Sequence, residues 1–225
     1  MVMVAAPTDT SIAARLAILV TAVIGVQLPV RLRAWDGSEV GPEDAPVLVI
    51  HDKPALRRVL WIPNELGLAQ AYVAGEIDVE GDVADGLRRL RRHVGENGLA
   101  RDNGHTGGAF IESYVAPDMH MRPVGETVAL LERAGLEVRD VHAMREHYVR
   151  TVAFWLATLE RRWAEIVAIV GEPTARVWRL YLVGGVLTFA EGRMGVDQIL
   201  AVRATADGGS GMPAVREYAV GSAGA

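Results

Sequence analysis

The order of apolar and polar positions divides the first half of the chain into helices and one hairpin. Residues 11–26 are rich in Ala, Leu, Ile and Val and predict a helix. Within residues 28–52, apolar and polar positions alternate from 30 to 35, and Asp36-Gly37 gives a turn signal. Residues 46–52 then supply the return strand of a predicted hairpin. The apolar run near the start is too short to span a bilayer, so we expect no membrane-spanning segment there.

Helical periodicity dominates the rest of the chain. A helix is predicted to start near Pro54, which suits a first helical turn, and two further helices are predicted within residues 63–94. Residues 95–108 hold five glycines and read as a linker. Beyond it the pattern predicts helices over 124–137, 145–171 and 174–193, with strands near 137–142 and 195–204. Gly135 is placed as a C-cap glycine.

Composition narrows the possible functions. Half of the 225 residues are apolar, which is enough for a sizeable core, and the net charge is −5. The chain has no global positive field, so we expect no nucleic-acid partner. Cysteine is absent, which excludes disulfides, thiolate catalysis and Cys-based metal sites. The six histidines show no metal-binding spacing, so no metal site is predicted. We expect a cytoplasmic protein.

Two local patterns have both a structural and a functional interpretation. Tyr148 shares a helix face with Val152 and with Trp155 or Leu156, so it is either a core aromatic or a tyrosine whose hydroxyl enters a ligand pocket. The basic run 88–92, at a predicted helix end, is either a solvated face or a contact for anionic lipid head groups. The adjacent glycines 184–185, inside an apolar helix pattern, predict close helix packing.

Two long stretches resemble one family, the cyclopropane-fatty-acyl-phospholipid synthases with the related mycolic acid cyclopropane synthases. "ELGLAQAYVAGEIDVEGD", at the end of residues 28–82, is similar to the family's N-terminal lipid-binding domain. "GHTGGAFIESYVAPDM", "REHYVRTVAFWLATLERRW" and "VWRLYLVGGVLTFAEGRMGVDQILAVR" resemble the C-terminal end of its catalytic domain. The stretches match in order and spacing, and together they cover about residues 11–204.

The resemblance implies an acyl-lipid function and one site residue. Family members transfer a methylene unit from S-adenosylmethionine to a cis double bond of a phospholipid acyl chain, with a bound bicarbonate as base. Tyr148, followed by Thr151, corresponds to the tyrosine of the family's "HY-x-x-T" segment, which contacts bicarbonate. An acyl site is expected to be lined by the helix 16–26 with Trp35, Trp61 and Tyr72, and ordinary core packing is the alternative for these residues. Anionic head groups are expected to contact Arg88, Arg89, Arg91 and Arg92.

The chain departs from the family in its middle. Between the two stretches, family members carry a methyltransferase core with the cofactor loop and the active-site Cys, Glu and His. Nothing in residues 95–108 replaces that core, so no cofactor is expected to bind to this chain alone. Whether the chain is an enzyme stays open at this point. A strand pair left from such a domain is marginal by itself, so the second half is expected to pack on the first, pair with another chain, or remain partly unfolded.

These observations predict an α+β, predominantly helical protein. A hairpin-plus-helices, lipid-binding-like unit is expected over 11–94, and a linker over 95–108 marks an apparent deletion point. A C-terminal helical unit with a short strand pair, left from an α/β methyltransferase domain, is expected over 109–204, and a disordered tail over 205–225. The predicted function is lipid binding without catalysis, at a phospholipid surface on the inner membrane face. The alternatives are a subunit that works with a chain supplying the methyl-donor domain, a homodimer, and a non-functional deleted paralog.

Overall fold

The computed structural model describes residues 11–24, 27–61, 65–96 and 108–213. Helices predominate in these ranges and strands are short, as the α+β prediction requires. The helices are α1 (Ile12–Ile24), α2 (Lys53–Trp61), α3 (Glu65–Val73), α4 (Val83–Glu96), α5 (Gly108–Tyr114), α6 (Val124–Arg133), α7 (Arg145–Arg161), α8 (Trp163–Val170) and α9 (Glu172–Ala190). The strands are β1 (Arg31–Arg33), β2 (Glu39–Val40), β3 (Val47–Ile50), β4 (Ile77–Glu80), β5 (Glu137–Ala143) and β6 (Asp197–Val202).

The first sheet has four strands in the order β2-β1-β3-β4. β1 pairs antiparallel with β2 but parallel with β3, so the predicted hairpin partner of β1 is wrong. The return strand is the two-residue β2, which ends at Val40, just before Gly41, where φ is +120°. The apolar segment 47–50 instead lies between β1 and β4, because a strand of Val, Leu and Ile is best buried between two neighbours.

β4 was not predicted, since residues 63–94 were assigned to two helices alone. Its four residues follow Gly75, whose φ of +72° ends α3 and turns the chain toward the sheet. The alternation of Ile77 and Val79 with acidic residues is the strand signal that the helical interpretation missed.

The main core lies between this sheet and the first three helices. Leu32 and Ile77 of the sheet, Ala55 of α2 and Ala71 of α3 are each at most 2 % exposed. Ala13 and Leu16 bring the apolar face of α1 onto the same cluster. A smaller cluster joins Val83 of α4 to Val183 and Leu187 of α9. The C-terminal helix thus packs on the N-terminal elements, which was the first of the three outcomes expected for the second half.

The contacts divide the chain into two compact units. The first contains residues up to Met121 together with Glu146–Met194, and the second contains Arg122–Arg145 and the chain from Gly195 onward. This grouping differs from the predicted division at 95–108, of which residues 97–107 lie outside the described part. Of the predicted tail 205–225, residues 214–225 also lie outside it.

The second unit consists of β5, β6 and α6. β5 and β6 pair antiparallel, with a bulge between Val138 and Asp140, and have no third strand in the described ranges. α6 packs against both strands. Gly135 follows the helix with φ +82°, which confirms the predicted C-cap glycine.

Candidate functional site

Tyr148 lies in a contact between α7 and α9 within the first unit. Its ring is half-buried, with its centroid 5.5 Å from that of Phe189, a side chain that is 5 % exposed. One turn further along α7, Val152 faces Gly185 of α9. The contacts run in opposite order along the two helices, which are therefore antiparallel. The structure thus shows Tyr148 in aromatic packing, and its bicarbonate role stays a prediction.

The two adjacent glycines of α9 face two other helices. A Cβ atom on Gly185 would lie 3.4 Å from Val152 Cγ1, and one on Gly184 would lie 3.7 Å from Arg91 Nη2 of α4. There is room for little more than a methyl group at either position. The glycines thus lie at contacts with α7 and α4, but both distances are ordinary van der Waals contacts, so the close helix packing predicted for them stays a prediction.

Tyr72, predicted to line an acyl site, is a core residue of the first unit. It is 3 % exposed and belongs to the main hydrophobic cluster. The Arg176 guanidinium lies 5.0 Å from its ring centroid, and Arg179 Nη1 donates a hydrogen bond of 3.2 Å to its hydroxyl. The packing alternative therefore describes Tyr72 in this structure, because its hydroxyl is satisfied and its ring is covered.

Arg176 ties α9 to α3 and β4. Its guanidinium donates to the Tyr72 backbone carbonyl at 3.1 Å and to Asp78 Oδ2 at 3.0 Å, and its side chain is only 11 % exposed. Burial alone would lower the pKa of this guanidinium, but Glu172 and Asp78 offset that effect and leave the pKa raised. Arg176 therefore forms hydrogen bonds with residues that lie about a hundred positions earlier in the sequence.

Arg179 occupies the next turn of α9 and faces α7 and α8. Its Nε donates to Glu160 Oε1 at 3.0 Å, and its guanidinium lies 5.8 Å from the Trp163 ring centroid. Burial opposes the charged form, yet the Tyr72 hydroxyl and Glu160 raise the pKa of Arg179 overall. The sequence analysis missed both arginines, although two cations three residues apart inside an apolar helix pattern were a readable signal.

Three of these side chains, Glu160, Trp163 and Arg179, line a cleft of about 650 Å³. Its floor is apolar and consists of Val83, Leu156 and Val183, with the helix start at 81–84 on one side. Its polar wall contains Glu160, Trp163, Arg179 and Asp82. Asp82 is the N-cap of α4, since its Oδ1 accepts from the backbone N–H of Ala84 at 2.8 Å. The cleft thus combines an apolar floor with two carboxylates and one guanidinium, which lies against an aromatic ring.

The predicted basic run lies on α4, which begins at this cleft. Arg88 pairs with Asp85 at 3.3 Å, and Arg89 pairs with Asp85 at 2.8 Å and Asp44 at 3.0 Å. The Arg89 hydrogen bond is the main cause that lowers the pKa of the Asp44 carboxyl. Arg88 and Arg89 are therefore already engaged with carboxylates.

The remaining two arginines of the run differ in exposure. Arg91 is half-buried beside Gly184, whereas Arg92 is exposed. The run is therefore not a uniform cationic face, and Arg92 is the member that presents its side chain most openly to solvent.

Of the two tryptophans predicted for the acyl site, the side chain of one is described. Trp35 is half-buried against the main cluster, after β1, and does not line the cleft. Trp61 ends α2, and its side chain lies outside the part of the structure that is described.

The described residues offer neither a metal-binding cluster nor a membrane-spanning helix. They contain no group of three or more His, Asp or Glu side chains that could hold a metal ion. Among the helices in the same ranges, none is long and apolar enough to cross a membrane.

Comparisons with known proteins identify the family. The mycolic acid cyclopropane synthetase family model matches residues 84–199, more than half of the chain. A probable fatty acid methyltransferase of Pseudomonas putida is 40% identical over 117 residues, which are 52% of this chain and 30% of that protein. A probable fatty acid methyltransferase of Mycobacterium tuberculosis is 32% identical over 106 residues, 47% of this chain and 25% of that protein.

A solved structure shows a partial likeness. The cyclopropane synthase MmaA2 from Mycobacterium tuberculosis is 15% identical, with a TM-score of 0.40, over 84% of this chain and 50% of that one. The matches thus span a third or less of the curated relatives' length. The extent of the family-model match nevertheless establishes membership: this chain belongs to the mycolic acid cyclopropane synthetase family.

Proposed function

We propose that the chain is a lipid-binding member of this family that does not catalyse methylene transfer by itself. The curated relatives it resembles are named as fatty acid methyltransferases, which favours an acyl lipid as the ligand. The observation that carries the proposal is the cleft lined by α4, α7, α8 and α9, since it joins an apolar floor to one cation.

The cleft has the chemistry that an acyl amphiphile requires. An alkyl chain would contact mainly Leu156, because Val83 and Val183 are only 6% and 1% exposed. Each methylene group that it buries would contribute about 0.8 kcal/mol. An anionic head would meet the Arg179 guanidinium, whose present carboxylate partner, Glu160, is 43% exposed and can move into solvent. Trp163 offers an amphipathic ring at the same mouth, as tryptophans do at lipid interfaces.

The basic run of α4 would contact an anionic membrane surface. Arg92 is exposed and Arg88 retains a side-chain exposure of 43%. Cations near an anionic surface contribute about 1 kcal/mol each. Arg92 therefore favours a phospholipid surface at the cytoplasmic face, and Arg88 adds to it when it exchanges Asp85 for a lipid head group. The protein would lie on that surface peripherally.

The described residues do not fit S-adenosylmethionine, so no reaction step is derived through it. Cofactors of this type bind at the carboxyl ends of parallel strands, beside a glycine-rich loop that leads into a helix. In the described ranges, the one parallel pair is β1 with β3. β1 runs into the tight turn 34–38, and β3 leads into α2 through His51 and Asp52, without a glycine-rich loop. We infer that a cofactor-binding domain would have to come from elsewhere.

The cleft is tested by titrating the full chain with dodecanoate, below its micellar concentration, by isothermal calorimetry. We expect saturable binding that Leu156→Gln weakens at least about tenfold, because a polar amide would replace the apolar floor. Phe154→Gln is the matched control, since this residue lies two positions away on α7 and is 64% exposed outside the cleft. Equal affinities for the two variants would refute the cleft as the site.

The non-catalytic part of the proposal has its own test. Equilibrium dialysis against S-adenosylmethionine should show no saturable uptake by the chain alone. Saturable uptake would refute this part while leaving the lipid site standing. A cooperative thermal melt of the same sample is also expected, and a gradual melt would favour the alternative of a deleted, non-functional paralog.

A further inference from the structure

The described residues of the second unit form no core of their own. None of them within 122–145 and 195–213 is buried, and their sheet has two strands. Four of their large apolar side chains are 38–42% exposed: Val124, Leu130, Val141 and Leu200. Since an isolated pair of strands is marginal in water, a further strand would stabilise this part of the unit.

The two edges of this sheet differ in chemistry. β5 presents four ionisable side chains in seven residues, namely Glu137, Arg139, Asp140 and His142. Charges of this kind protect an edge strand against pairing. β6 reads Gln-Ile-Leu-Ala-Val after its first residue, with no charge and no proline. The edge that is open to a further strand is therefore that of β6.

We infer that β6 pairs antiparallel with β6 of a second copy of this chain, about a two-fold axis at Leu200. In this register Leu200 faces its own counterpart, and Ile199 faces Ala201. At both ends, Asp197 faces Arg203, the residue that follows β6. Opposite charges and apolar groups placed directly across two strands are the pairs that stabilise an antiparallel sheet.

The pairing gives the second unit what it lacks. The product is a four-stranded sheet in the order β5-β6-β6-β5, above the minimum that an independent sheet needs. A two-fold axis perpendicular to the sheet keeps both copies of α6 on one face, because α6 already packs against β5 and β6. The interface is isologous, so each end pair occurs twice.

Sedimentation equilibrium of the full chain tests this inference. We expect a monomer–dimer equilibrium, and Leu200→Lys should raise its dissociation constant at least about tenfold, because two ammonium groups would meet at the axis. Val141→Lys is the matched control: Val141 is 41% exposed, in β5 of the same sheet, and should leave the constant unchanged. A monomer at all concentrations, or equal effects of the two variants, would overturn the pairing.

A charge exchange tests the register. Asp197→Arg and Arg203→Asp should each weaken the dimer, because each places like charges across the strands at both ends. The double variant should restore the dissociation constant to within about threefold, since opposite charges face each other again. If both single variants weaken the dimer and the double variant does not recover, this register is wrong. Far-ultraviolet circular dichroism of each variant separates dissociation from unfolding.

Discussion

Arg176→Met is the substitution that most directly tests how α9 is held on the N-terminal elements. Methionine keeps an apolar stem of similar length but loses the guanidinium. Two charge-assisted hydrogen bonds disappear, to Asp78 and to the Tyr72 carbonyl. The third partner, Glu172, is 54% exposed and contributes little.

The magnitude follows from the burial of the guanidinium. Hydrogen bonds to charged groups contribute roughly 1.5–3 kcal/mol each to the free energy of unfolding. The Asp78 side chain is 34% exposed, so water can solvate its carboxylate once the guanidinium is removed, which reduces the loss. We therefore expect the free energy of unfolding to fall by about 2–4 kcal/mol. For a chain of this size that is a fall in Tm of roughly 4–16 °C, measured by differential scanning calorimetry.

A matched control isolates burial as the cause. Arg162→Met removes an arginine that pairs with Glu165 at 2.6 Å, with both side chains 61% exposed, and it should leave the Tm unchanged. A double-mutant cycle of Arg176→Met with Asp78→Asn should show coupling between the two changes. Equal Tm shifts for the Arg176 and Arg162 variants, or additivity in the cycle, would refute the reasoning.

Three further substitutions have definite expected outcomes. Gly41→Ala should destabilise the chain by about 1–3 kcal/mol in urea, because φ is +120° and the new Cβ would lie 2.7 Å from the Val30 carbonyl oxygen; no change would contradict that geometry. Phe189→Ala should cost about 3–5 kcal/mol in the same assay, as expected for a buried aromatic, and a loss below 1 kcal/mol would contradict its burial. The hydrogen bond from Arg33 lowers the pKa of Glu39 below its ordinary 4.5. The ionised Glu39 therefore stabilises the fold above that pH, and this stabilisation is lost as the pH falls through the folded-state pKa. Glu39→Gln should therefore flatten the acid side of a stability–pH curve, and an unchanged curve would exclude the pair.

Local pattern predicted the elements better than it predicted their partners. The helices around 12–24, 124–133 and 172–190 follow apolar periodicity, and the structure contains them. β3 lies beside β1, but the predicted antiparallel direction was wrong, because an all-apolar strand carries no information about the direction in which it pairs. Strand order depends on tertiary burial, which a single sequence does not display.

The candidate site shows the same limit. Tyr72 was read as an acyl-site aromatic, yet its surroundings are Arg176 and Arg179, which lie more than a hundred residues later. Its burial depends on a contact of that sequence separation, and no local periodicity encodes it. The long helix predicted over 145–171 is also interrupted at Arg162, where φ of −106° and ψ of 25° separate α7 from α8.

Co-sedimentation of the purified chain with phospholipid vesicles tests the central claim most directly. The proposed function predicts that the folded chain pellets with vesicles containing phosphatidylglycerol, and pellets less with phosphatidylcholine alone, because Arg88 and Arg92 favour an anionic surface. It also predicts that added salt weakens this binding. A chain that melts cooperatively and yet remains in the supernatant with both kinds of vesicle would contradict the account.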